Sequence, residues 1–93
     1  MIVGTVTIKL YAPWVHSLKE KRMIVKSIIA KTKNKFNVSI AEVNEQDKHQ
    51  TIILGIACVA DTVGLPDSII NNVITFVENN TETETLYIKR EKR

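Results

Sequence analysis

The sequence predicts an α+β sandwich: a four-stranded antiparallel sheet with two helices on one face. Three observations carry this. Ile2 to Tyr11 alternates with period two and is rich in β-branched residues, the mark of a half-buried strand. Two segments, one following Ser17 and one following Pro66, repeat their apolar residues with helical spacing. The apolar segments then succeed one another in the order β-α-β-β-α-β, which closes most simply with the first and third strands at the centre of the sheet.

Each element has its own warrant. In the first strand Ile2, Gly4, Val6, Ile8 and Leu10 share one face, and Val3, Thr5, Thr7, Lys9 and Tyr11 the other. Pro13 lacks the amide proton of a sheet ladder and should end it. Ser17-Leu18-Lys19-Glu20 is a capping box: the Ser17 hydroxyl accepts from the Glu20 amide while the Glu20 carboxylate reaches back to the Ser17 amide. A helix should follow to about Phe36, with Leu18, Val25, Ile28, Ile29, Thr32 and Phe36 on its buried stripe. Val38 to Val43 reads as a short strand and Asn44 to Lys48 as a polar turn. Thr51 to Ala60 is apolar on both faces, as a central strand is. Asp61 to Pro66 is a loop into the second helix, with Pro66 in its first turn. That helix buries Ile69, Ile70, Val73 and Val77 and stops at Asn79-Asn80-Thr81. Thr85 to Arg90 alternates again as the last strand. Residues 1–90 form one domain of the ferredoxin-like topology, and 91–93 are expected to be a charged tail.

Two helices cover one side of such a sheet. On the third strand either Ile52, Leu54, Ile56 and Cys58, or Ile53, Ala57 and Val59, must then lack a helix. An apolar open face predicts an interface, and a homo-oligomer through this face is the expectation.

Charge is distributed unevenly. Between Lys19 and Lys35 lie seven of the thirteen lysines and arginines and one of the ten acids; between Val38 and Ile88 lie one base and eight acids. This asymmetry points to a polyanionic partner. Lys19, Arg22, Lys26 and Lys33 form a stripe on one flank of the first helix, with Lys21 and the C-terminal tail assisting. Such a stripe holds phosphates without reading sequence; the bland alternative is a solvated face paired with acids of the same or a neighbouring subunit. Trp14, the single tryptophan, reads either as a base-stacking platform beside this stripe or as a plug over the end of the core or an oligomer anchor.

Catalytic signatures do not emerge. The three glycines are too scattered for a phosphate loop, and no serine or cysteine nucleophile has a His and an acid at a known spacing. The segment Ala12 to His16 contains neither the arginine of an acylphosphatase nor the paired cysteines of a metal carrier. Glu42, Glu45, Asp47 and His49 match no metal-ligand pattern and read as a solvated hairpin. No cofactor, no metal, no catalytic residue and no enzymatic activity are therefore expected. Lone Cys58 suits a buried thiol in a reducing cytoplasm. No apolar run reaches the ~20 residues of a membrane span, and the first residues lack a signal-peptide pattern. A cytoplasmic protein without membrane contact is expected.

Four stretches together resemble a family: Ile2-Val3-Gly4-Thr5-Val6, Ser17 through Arg22, Phe36 through Val43, and Gln46-Asp47 followed by Gln50. Their order and spacing, over Met1 to about Ile88, resemble the YlxP-like family of small bacterial proteins, a domain of unknown function. The resemblance implies the ferredoxin-like topology and, through the company its genes keep with transcription, translation and ribosome-maturation factors, a role near the ribosome or nascent RNA. It carries no catalytic residue over. Asn44 and His49 depart from the usual pattern in the hairpin. The reading is thus a non-enzymatic accessory protein that binds ribosomal RNA or a ribosome-associated complex through Lys19, Lys21, Arg22, Lys26 and Lys33. The alternatives are an oligomeric module for an acidic protein partner and a small-ligand sensor at a subunit interface.

Overall fold

The protein, seen in a computed structural model, is described at residues 1–62 and 64–92. Val63, in the loop expected before the second helix, and Arg93, at the end of the expected tail, lie outside the described residues. The elements run β1 (Ile2–Tyr11), α1 (Leu18–Lys35), β2 (Ser39–Glu42), β3 (Thr51–Ala60), α2 (Leu65–Asn79) and β4 (Glu84–Lys92). The sheet order is β2-β3-β1-β4 and every pairing is antiparallel. This is the ferredoxin-like α+β fold.

The core lies between sheet and helices. In the β1–β3 register Val6, Ile8 and Leu10 stand opposite Ile56, Leu54 and Ile52, and all six are buried. Val25 and Ile28 of α1 and Ile70, Val73, Ile74 and Val77 of α2 close over them. Ile74 belongs to this stripe, while Ile69 is only partly buried against it. At one end the backbone of β1 touches α2: a Cβ on Gly4 would lie 2.6 Å from Pro66 Cβ and 3.0 Å from Ile70 Cδ1. Glycine is what permits that approach.

Several boundaries move. The Ser17 hydroxyl accepts from the Glu20 amide at 3.1 Å as expected, but the Glu20 carboxylate accepts from the amide of His16, not of Ser17. The last strand is longer than the alternation suggested: Glu91 and Lys92, expected in a charged tail, continue β4 because the β1 ladder extends to Gly4 opposite Lys92. One extra residue is accommodated on β4 between the pairs Lys9–Tyr87 and Leu10–Thr85, a bulge of the kind that twists an edge strand away from further pairing.

Ile53, Ala57 and Val59 are the set that faces away from the helices. Val59 is exposed, whereas Ile53 is buried even there, flanked by Lys9 across β1 and by Val43, whose amide donates to the Ile53 carbonyl. Thr5, Thr7, Ala41, Gly55 and Ala57 leave a shallow apolar hollow of ≈ 310 Å³ beside them.

Candidate functional site

Helix α1 carries the basic stripe, and its sequence makes it a rigid support. Ser17 caps its first turn, and the Phe36 amide donates to the Thr32 carbonyl at its end. On its buried side Thr32 is fully enclosed, its hydroxyl satisfied by the Ile28 carbonyl at 2.8 Å. Phe36 meets Phe76 of α2 edge to face at 5.5 Å.

Lys19, Arg22, Lys26 and Lys33 are exposed, and among the described residues none has a carboxylate within 4.0 Å. A 1.5 Å rise per residue spreads these four positions over ~21 Å of helix axis. The acids that do form ion pairs meet other bases: Glu45, for one, lies 3.7 Å from Lys9 and 3.6 Å from Lys48.

Lys21 does not belong to this stripe. It is 0% exposed, because Leu18, Lys21, Val25, Ile28 and Thr32 follow the alternating three- and four-residue steps of one helix face. Its ammonium donates to the main-chain carbonyls of Glu45 at 2.8 Å and Lys48 at 2.5 Å, and stands 2.8 Å from Glu42 Oε2. That oxygen is sealed from solvent and accepts no aligned hydrogen bond, so the contact is a close ion pair. Lys21 therefore cannot contact a phosphate. It clamps the β2–β3 connection, where Asn44 and Glu45 adopt positive φ of 57° and 48°. A non-glycine residue held there costs about 1 kcal/mol or more, and the bond to the Glu45 carbonyl offsets it. The hairpin read as solvated is thus tied down by two of its acids: Glu42 faces Lys21, and Glu45 faces Lys9 and Lys48.

Trp14 sits in the turn between β1 and α1. Its neighbours Ala12 and Val15 are fully buried, whereas Trp14 itself is 38% exposed. The Gln50 side-chain amide fixes the turn by donating to the carbonyls of Pro13 and Val15 at 3.1 and 3.3 Å. Trp14 faces Met23, Ile24 and Ile28 across a hollow of ≈ 300 Å³. Ser27 and the α2–β4 connection at Asn80 to Glu82 complete its rim. Met23 and this connection escaped the sequence reading. Met23 could have been found, since it is a large apolar residue off the buried stripe. Asn80 and Glu82 could not, because only the tertiary fold brings the end of α2 to α1.

The thiol of Cys58 is buried among Gly4, Pro66 and Ile70. Burial pushes it above its ordinary value of 9.0, and nearby Asp67 adds to the rise, against a hydrogen bond with the Gly4 backbone. Among the described residues no three His, Cys, Asp or Glu side chains cluster as a metal site would need, and no helix is long and apolar enough to cross a membrane.

Comparison with known proteins agrees with this architecture. The family model described as "Protein of unknown function (DUF503)" matches residues 3–90. A protein of Bacillus subtilis (strain 168), "Uncharacterized protein YlxP", is 37% identical over 75 residues, spanning 81% of this chain and 82% of that protein. Among solved structures, the de novo designed protein LFR1 1 with ferredoxin fold superposes with a TM-score of 0.63 at 24% identity, over 100% of this chain and 86% of the other. A structural-genomics protein, YJCS, does so with a TM-score of 0.59 at 12% identity, over 96% of each chain. These likenesses concern the fold alone.

Proposed function

Since the chain belongs to the YlxP-like DUF503 family of proteins of unknown function, we propose from its own surface that it is a non-enzymatic RNA-binding accessory protein, acting on ribosomal RNA or a ribosome-associated complex. The observation that carries this reading is the exposed row Lys19, Arg22, Lys26 and Lys33 on one capped helix, without carboxylate partners among the described residues. Uncompensated cations held on a rigid element attract a phosphate backbone by releasing its counterions. Arg22 can engage a phosphate bidentately, and the lysines act as point charges. Lys21 is not part of this set.

The test is RNA binding across a salt series, with the parent protein and a Lys19→Glu/Arg22→Glu/Lys26→Glu variant. Four phosphate contacts to a single strand give a log–log salt slope of roughly −3. The triple variant should lose nearly all binding. If it binds as the parent does, the assignment fails.

A second reading is self-association through the open sheet face. It is favoured by the apolar hollow over Gly55 and Ala57 and by exposed Val59. Sedimentation of the parent and of a Val59→Lys variant tests it: a dimer that persists in the variant would count against this face.

A further inference from the structure

We infer that the hollow walled by Trp14, Met23 and Ile24 receives an unstacked nucleobase of the same RNA strand whose phosphates lie on Lys19, Arg22 and Lys26. The inference rests on the RNA-binding reading above and extends it from charge to base recognition.

The helix itself joins the two features. Met23 follows Lys19 by four residues and precedes Lys26 by three, so it lies between them along the outer surface of α1. It is 65% exposed. On one side of Met23 are the cations; on the other are Ser27 and Ile24, which line the hollow. A strand running along the cations passes directly beside the opening. Its backbone meets positive charge and its bases meet an apolar recess, which is the division of labour in single-strand binding sites.

The recess suits a base in size and chemistry. Its volume of ≈ 300 Å³ is at the lower end of what small-molecule sites of roughly 300–1,000 Å³ use. Trp14 supplies a stacking face and Met23 a polarizable, adaptable wall. The rim is polar and unspent. Among the described residues the Ser27 hydroxyl and the Glu82 carboxylate make no hydrogen bond, and Asn80, whose side-chain N–H donates to the Phe76 carbonyl, keeps its side-chain oxygen for another donor. Carboxylate and amide oxygens accept hydrogen bonds and repel phosphate. They therefore fit the exocyclic amino group of a base such as adenine, and not its backbone. The open-face hollow offers no comparable set: of the cations beside it, Lys9 is already placed against Glu45 and Tyr87, and Lys89, opposite Thr7, against Glu91.

Trp14, the sole tryptophan, reports on its own site. The experiment titrates the protein with a short single-stranded oligoadenylate and, separately, with inorganic polyphosphate, following Trp14 fluorescence and affinity. Oligoadenylate should quench Trp14, and polyphosphate should bind the cations without quenching it. Trp14→Leu and Met23→Ala should each weaken oligoadenylate about tenfold, leaving the salt slope and polyphosphate affinity unchanged. Neither side chain is in the core, and Met23→Ala keeps the tryptophan as a fold probe. Unquenched Trp14, with both variants binding oligoadenylate as tightly as the parent, overturns the base site and leaves the phosphate-binding reading standing. Absence of oligoadenylate binding overturns the base site, and absence of polyphosphate binding as well overturns both.

Discussion

Replacing Lys21 by methionine should be among the most damaging single changes to this fold, although the residue lies in the most basic stretch of the chain. The substitution keeps the aliphatic length and removes the ammonium. It leaves the Glu42 carboxylate, whose side chain is 15% exposed, without its counter-charge, and strands the carbonyls of Glu45 and Lys48. Removing one partner of a buried ion pair costs about 3–5 kcal/mol, and the two lost charge-assisted hydrogen bonds are largely contained in that figure. A domain of this length has a total stability on the order of 5–14 kcal/mol. The variant should therefore melt at least ~12 °C below the parent. The assay is thermal and urea unfolding followed by circular dichroism, with Lys26→Met as an exposed control expected to stay within about 0.5 kcal/mol of the parent. Adding Glu42→Leu to Lys21→Met removes the stranded carboxylate and should recover part of the loss, with the unsatisfied carbonyls keeping the double variant below the parent. A Lys21→Met protein as stable as the Lys26→Met control would refute the clamp.

Two other perturbations follow from the packing. Gly4→Ala should destabilise by about 1–3 kcal/mol through overpacking, because the new methyl meets the rigid ring of Pro66 at 2.6 Å; Gly64→Ala, with nothing within 4 Å of the added carbon, is the control, and equal urea midpoints for the two would contradict this account. Cys58 should resist alkylation in the native protein at neutral pH and react at once in denaturant. Its folded-state pKa lies above its unfolded value. The thiol's contribution is therefore present at neutral pH and is lost as pH rises past its unfolded value of 9.0, since the unfolded chain ionises first. Urea midpoints measured from neutral to alkaline pH should fall in the parent, and the thiol-dependent part of that fall should be missing in Cys58→Ala.

The amino-acid sequence already specifies the element order, the strand and helix periods, the capping serine and the separation of basic from acidic halves. Local patterns specify these: side-chain alternation, helical spacing and cap chemistry act within a few residues. It also contained the place of Lys21 in the buried stripe, which the spacing from Leu18 to Thr32 encodes. Residue type concealed it, because a lysine in a basic run is expected in water. What neutralises that ammonium is set by the folded arrangement, since its partners come from a connection more than twenty residues further along the chain. Only that arrangement brought Asn80 and Glu82 to Met23 and Trp14, and only it buried Val15 while leaving Trp14 exposed. Contacts between distant segments arise from how helices settle on a sheet, and no periodicity within either segment records them.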